Sequence, residues 1–292
     1  MKLSSFYKAV IKLGSQRDPR GKGRLYSYAD SSILYGRADT EVSKILVGVD
    51  IEVGELLLAD AIRQREGLDL VVAHHPEGRA YASLFKVMQV QVDLLRQAGV
   101  SQILAQELLD ERMSEVERRV LSQNHTRPVD AARLLDLPFM CMHTPADNHV
   151  YWFLKHLMDQ KKPKLVEDIL DILEGIPEYS LASREIGTGP RVILGSPRRP
   201  AGKILFEMTG GTEGHRDVFD KLYKAGVRTL VSMHLSEEHF KKVKDANLNV
   251  VIAGHISSDT LGLNLLLDRL EIEAGQVFQT VDCSGFCRIR RK

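Results

Sequence analysis

At 292 residues, 43% of them apolar and 27% charged, the chain is long enough for one large α/β domain or two smaller ones with a proper core. Lys+Arg 40 against Asp+Glu 39 leaves a net charge of +1, so composition gives no electrostatic reason for a nucleic-acid or membrane partner. Cys141, Cys283 and Cys287 are too few and too scattered for a disulfide framework and point to a reducing cytoplasm, and no apolar run is long enough to span a bilayer.

In chain order, Ser4 to Leu13 reads as a short amphipathic helix and 16–23 as a loop. A strand at Lys44 to Val49 leads to a helix at Val53 to Arg65 and a strand at Leu68 to Ala73. Helix Val87 to Gln97, a strand at Val100 to Leu104, and charged helical stretches at Glu107 to Gln123 and Asp130 to Leu135 come next. Pro138 to Thr144 reads as a strand running into the polar turn PADN, ahead of helices at Val150 to Met158 and Leu165 to Glu174. Turn signals GTGP and GSPRRP make 179–200 hairpin-rich, with strands at Tyr179 to Ile186 and Arg191 to Leu194. Then come strand Lys203 to Met208, helix Arg216 to Lys224, strand Val227 to Ser232, helix Glu237 to Ala246 and strand Val250 to Ala253. Helix Leu261 to Leu270 and a strand within Ile272 to Thr280 close the chain. The short basic run Arg288 to Lys292 reads as a solvated tail.

Alternating strands and helices argue for an α/β fold with a mainly parallel sheet. An internal echo supports two related halves: GLDLVVAHH, Gly67 to His75, resembles NLNVVIAGH, Asn247 to His255, histidine included. The pair QAGVSQIL and KAGVRTLV shows no more than any helix-to-strand junction would. The expected division is a first half over 1–180, with a helical insertion near 88–137, and a second half over 181–292.

Ligands of open α/β sheets gather at the carboxyl ends of strands. His74-His75, His143 with Asp147, and His255 with Asp259 all follow expected strands. Pro76 biases His75 towards extended backbone, so the adjacent imidazoles diverge and each is expected to reach a different ion. Asp147 and Asp259 can bridge two cations. Mixed imidazole and carboxylate donors suit zinc, iron or manganese better than calcium. Each motif alone reads equally as a strand end and helix cap, Asp147 capping the helix from Val150; their shared placement after strands favours a metal site.

Taken in order, VGVDIEV (Val47 to Val53), LDLVVAHHP (Leu68 to Pro76), MHTPADN (Met142 to Asn148) and NVVIAGHISSDTLGLNLL (Asn249 to Leu266) resemble the NIF-three-like dinuclear metal-centre family. Many bacterial members of that family are known as type 2 homologues of GTP cyclohydrolase I. The resemblance brackets most of the chain. It implies two intertwined, pseudo-symmetric α/β repeats, a ring-shaped homo-hexamer, and two divalent metal ions in the cleft between halves. His74, His75, Asp147, His255 and Asp259 match its metal ligands by position. The family's last ligand is usually glutamate, so Asp259 is one methylene shorter. After HHP the sequence EGRAYASLF replaces a commonly apolar stretch, which puts Glu77 and Arg79 at the mouth of the site. The insertion Met88 to Leu137 is longer than usual and is a candidate lid or oligomer contact.

The loop MTGGTEGH, Met208 to His215, is glycine-rich between strand and helix, so Gly210 and Gly211 are candidate phosphate contacts, although no P-loop lysine follows. A tight turn explains the same residues. His143, Glu213 and His234 are the candidate proton-transfer groups, and Asp50 is placed to orient a ligand imidazole. The leading expectation is a cytoplasmic two-metal hydrolase acting on a nucleotide or another phosphorylated small molecule, with GTP ring opening as a special case. A non-catalytic metal-binding ring that scaffolds partners is the competing class, and a metal-free nucleotide-binding protein is a third.

Overall fold

A computed structural model describes residues 1–21 and 26–291. The loop expected over 16–23 therefore lies partly outside the described residues, as does Lys292. The elements are α1 (Leu3–Gln16), β1 (Ser31–Tyr35), β2 (Lys44–Gly48), α2 (Val53–Glu66), β3 (Leu70–Ala73), α3 (Gly78–Ala82), α4 (Val90–Ala98), α5 (Gln102–Leu121), α6 (Arg127–Leu134), β4 (Phe139–Met142), α7 (His143–Lys161), α8 (Val166–Glu174), α9 (Pro177–Ile186), β5 (Arg191–Leu194), β6 (Lys203–Glu207), α10 (Phe219–Lys224), β7 (Val227–Ser232), α11 (Glu237–Asp245), β8 (Asn249–Ile252), α12 (His255–Ala274) and β9 (Gln279–Cys283). Turns of 3-10 helix at Leu84–Gln89 and Arg216–Val218 precede α4 and α10.

Two mostly parallel sheets result. The first has the order β1-β4-β3-β2-β9, the second β5-β8-β7-β6, and in each the first strand is the antiparallel edge. Strands β2, β3 and β4 read KILVG, LVVA and FMCM and are almost wholly buried, because helices cover both faces of the sheet. Phe6, Val10, Leu13 and Leu266 lie on one face with Ile45, Leu70 and Met140; Leu56 and Ala132 cover the other with Leu46, Val71 and Phe139. The second sheet is sandwiched likewise, between α7, α8 and α9 on one side and α4, α5, α10 and α11 on the other. The α/β fold of two repeated units is thus as the sequence implies. Intertwining comes from β9, which returns from the C-terminal end to pair with β2.

Several local expectations give way. Val100 to Leu104 is not a strand: Ser101 caps α5 by accepting from the Leu104 amide at 3.3 Å, and the helix continues. Tyr179 to Ile186 is helix α9, opened by Pro177 at its first position. The PADN turn is the first turn of α7, and α12 starts at His255 rather than Leu261. It also runs to Ala274, which confines the last strand to β9. The basic tail is tied down: Arg288 pairs with Asp268 at 2.7 Å and Arg291 with Glu178 at 2.6 Å. Within the insertion, Val92, Leu109, Val116 and Val120 belong to the core against β6, β7 and β8, so α4 and α5 are a packed layer and not a free lid.

The echo between 67–75 and 247–255 also pairs the wrong strands. By sheet order β3 corresponds to β7 and β4 to β8. The true internal match is HTPAD with HISSD, which open the equivalent helices α7 and α12.

Candidate metal centre

His74 and His75 follow β3 at a bend where the chain still pairs with the end of β2: their amides donate to the carbonyls of Gly48 and Val49, each at 2.9 Å. On α7 and α12 the histidine opens the helix and the aspartate stands four residues on, so each pair lies on one helix face. Gly254, at φ +110°, makes the turn from β8 into α12, and a side chain there would collide with Ser257 Oγ at 2.6 Å. Helices α7 and α12 cross in close contact and bring the two pairs together under His74.

The imidazole Nε2 of His74 lies 3.3 Å from Asp147 Oδ1 and 3.3 Å from Asp259 Oδ1. The other oxygen of Asp259 faces different partners, His75 Nε2 at 3.5 Å and His255 Nε2 at 3.6 Å. Three donor groups have their atoms within 4.8 Å of one another: His74, Asp147, Asp259; His75, His255, Asp259; and His74, His75, His143. The first two share Asp259 alone. The third puts the adjacent imidazoles near enough to share an ion as well, their rings standing 5.3 Å apart at the bend.

Outer partners orient the rings. His75 Nδ1 is 2.6 Å from Asp50 Oδ1, as expected of Asp50. His143 Nδ1 is 2.8 Å from Asp30 Oδ2, which also accepts from Thr144 Oγ1 at 2.6 Å. A carboxylate on Nδ1 leaves Nε2 free to face the centre, and His143 Nε2 indeed stands 3.7 Å from Asp147 Oδ2.

The residues fit a metal. Both ring nitrogens of His74, Asp147 Oδ1 and both oxygens of Asp259 are buried and make no hydrogen bond. Buried polar atoms normally have a partner, and five orphans converging from three elements leave room for a cation to supply one. Electrostatics point the same way. Burial alone would raise the Asp259 carboxyl, but His74, His75 and His255 hold it far below the usual range. Burial would lower His74, yet Asp259 and Asp147 push it up to about 10. Among the described residues no other donor group of three His, Cys, Asp or Glu could hold an ion.

Around this core the other expected residues divide. His234 meets His255 edge to face, ring centroids 4.9 Å apart, and Glu213 raises its affinity for a proton. Glu213 itself accepts from the Ser236 amide at 2.6 Å; burial would raise it, but His234 and that amide hold it down to about 2. It is therefore held as a carboxylate, with His234 Nδ1 3.6 Å from its Oε1. Glu77 lines a recess beside His75, and burial pushes it up to about 7. Arg79 is not at the mouth: it is exposed and donates to Ser32 Oγ and the Ile33 carbonyl, because α3 turns its face to β1. Gly210 turns away too, its carbonyl accepting from Gln91 Nε2 on α4 at 3.0 Å, while Gly211 lines the recesses. Only the 3-10 turn and the six-residue α10 follow this loop, so it aims at no long helix start.

Sequence reasoning missed Asp30 and Glu207. Asp30 sits in a polar stretch, YADSS, where no strand is expected, and Glu207 lies inside the expected strand Lys203 to Met208, where nothing in the spacing marks it. A carboxylate just ahead of the antiparallel edge strand β1 was the available signal for Asp30.

No protein-family model matches the chain, and no curated protein is significantly similar to it. Solved structures are. A NIF3 superfamily protein from Sphaerobacter thermophilus superposes with a TM-score of 0.78 at 25% identity over 98% of both chains. Reduced HcgD from Methanocaldococcus jannaschii gives 0.54 at 15% identity over 97% of both. A Bacillus cereus protein related to NIF3 gives 0.51 at 10% identity, covering 95% of this chain and 96% of that one. The two more distant likenesses carry the fold alone, and the likeness to the first along the whole length supports this chain as a divergent NIF3-like protein.

Proposed function

We propose that the protein is a hydrolase that uses two divalent transition-metal ions, zinc, iron or manganese, on a nucleotide or another phosphorylated small molecule. The observation that carries this reading is the placement of Asp259, whose two unpartnered oxygens face separate imidazole sets. His74 and Asp147 would hold one ion and His75 and His255 the other, with Asp259 between them. Ions held there would supply Lewis-acid polarisation and a stronger nucleophile at neutral pH.

The chain's own residues complete the reading. Asp50 and Asp30 fix the orientation of His75 and His143. His234, half exposed beside His255 and anchored by Glu213, is positioned to move a proton at bound substrate. Two recesses meet at His143, His234 and His255, so the centre is open on the substrate side, as a catalytic site must be and a structural one is not. One of them carries Arg119 on its wall, beside Arg112 and Arg127, which pair with Glu115 and Glu52, and these guanidiniums would be the phosphate contacts. Among the described residues no helix is long and apolar enough to cross a membrane; the reading places the protein in the cytoplasm as a homo-hexamer.

The test is elemental analysis of protein purified without a tag, beside an Asp259→Ala variant, followed by hydrolysis assays on nucleotides and phosphate esters. About two transition-metal ions per chain, lost in the variant together with hydrolysis, is the expected result. A chain that takes up no zinc, iron or manganese on reconstitution would overturn it.

A further inference from the structure

Glu207 ends β6 with its side chain in a recess of about 90 Å³ that also reaches His143, Asp147, His255 and Asp259. Four carboxylates line this recess. Asp147 and Asp259 face the imidazoles, and Glu213 is held by Ser236, His234 and His239. Of the four, Glu207 alone makes no hydrogen bond and no ion pair with the described residues. Its surroundings are apolar: Leu94, Leu95, Phe206, Met208, Val218 and Met233 form the walls. Most other polar groups nearby are already engaged. Gln91 Nε2 donates to the carbonyls of Gly210 and Thr212, Thr209 Oγ1 to Asn148 Oδ1, and Ser232 Oγ to the His234 carbonyl.

An unpartnered carboxylate at the edge of an apolar recess favours a ligand that brings its own donors. The shape of those donors is constrained. A carboxylate accepts two parallel N–H bonds from a planar group best. An amidinium holds such a pair in one plane at the spacing of the two oxygens, whereas the three N–H bonds of an ammonium diverge and only one points at each oxygen in turn. Apolar side chains on the walls suit a ring in place of a charged, flexible chain. We propose that the recess binds a flat ring bearing an amidine-like pair of N–H donors, which Glu207 accepts while the ring lies among the apolar side chains beside the candidate metal centre.

This deepens the hydrolase reading and rests on it for the identity of the cleft as a substrate site, but its test does not need the metal. Benzamidine and its neutral isostere benzamide are titrated calorimetrically into the full chain, as purified and after chelation, and into Glu207→Gln. Benzamidine is expected to bind with and without metal, and benzamide about tenfold more weakly or worse, the gap of one charge-assisted pair. Glu207→Gln should bring the two ligands to similar affinity. Benzamidine that fails to bind at millimolar concentration, binds no better than benzamide, or binds Glu207→Gln as it binds the parent would overturn the proposal. The comparison of the two ligands on the parent chain stands even if the variant does not fold. Loss of hydrolysis with benzamidine binding intact would sink the catalytic reading and leave this one standing.

Discussion

Gly262 of α12 lies against Ala146 of α7 so closely that a methyl group at Gly262 would stand 2.7 Å from the Ala146 carbonyl oxygen and 2.8 Å from Val150 Cγ2. Asp147 is the next residue on one helix, and Asp259 is one turn before on the other. The spacing of the two carboxylates about His74 is therefore set by how near these helices can come. Gly262→Ala should push them apart, lowering stability by about 1–3 kcal/mol. Metal affinity should fall as well, since the donors would no longer converge. Urea denaturation with metal titration on the same variant checks both, and unchanged metal affinity would show that the crossing does not set the site.

Asp30 should matter to the centre without touching it. It takes bonds from His143 Nδ1, Thr144 Oγ1 and Ser31 Oγ while fully buried. Asp30→Asn keeps the shape and an oxygen for His143 but removes the charge that makes the ring a better donor. If His143 adds a ligand to His74, His75, Asp147, His255 and Asp259, as its place in one donor group allows, metal affinity should drop roughly 10- to 100-fold while the fold persists. Circular dichroism with competitive chelator titration separates the two effects. An affinity equal to the parent's would mean that His143 is no ligand.

The strands that carry the site were legible because both faces of each sheet are covered, so β2, β3, β7 and β8 appear as short apolar runs that end in polar residues. His74, His75, His143 and His255 were found for the same reason: each comes just after such a run. The conformation beyond each strand end was harder to read. Pro145 inside HTPAD reads as a turn, yet proline is tolerated in the first helical turn, where its missing N–H has no partner to lose. The equivalence of HTPAD and HISSD was hidden by the stronger likeness of LDLVVAHH and NVVIAGH, two buried strands whose similarity reflects burial and not sheet position. Arg79 was misjudged because five residues of α3 suffice to swing its side chain to β1, a rotation no spacing argument sees.

A buried polar clasp joins the halves beside the centre. Asn148 Nδ2 donates to Asp18 Oδ2, Tyr28 Oη and the Gly14 carbonyl, and its Oδ1 accepts from Thr209 Oγ1 after β6 at 2.8 Å. Asn148→Ala takes the acceptor from Thr209 Oγ1 and one donor from Asp18, Tyr28 and the Gly14 carbonyl, which keep Arg20, each other and the Arg17 amide, and should cost about 1–3 kcal/mol. Thr209→Val removes one bond at nearly constant volume and should cost roughly 1 kcal/mol. A double variant no worse than Asn148→Ala alone would confirm that the two act as one bond across the interface. Strict additivity in denaturant melts would instead mean that they stabilise their halves separately.

Glu207 ties the ligand question to stability through pH. Burial pushes it from 4.5 up to about 7, with Glu213 adding repulsion and His234 opposing it. The folded chain therefore holds this proton more tightly than the unfolded chain does. Stability from the group is present in full below the unfolded value and is lost as pH rises through about 7, where the native carboxylate must ionise without a partner. Glu207→Gln removes that loss. The variant should match the parent near pH 4 and exceed it by roughly 1–3 kcal/mol near pH 8. Urea melts at the two pH values decide it; a gain of equal size at both would mean better packing of the amide, and no gain near pH 8 would mean that the carboxylate is already compensated in the free protein. The same substitution is expected to lose the preference for benzamidine. A residue whose removal stabilises the fold and weakens a ligand is one retained for binding, and protonation of Glu207 below neutral pH should weaken benzamidine in parallel.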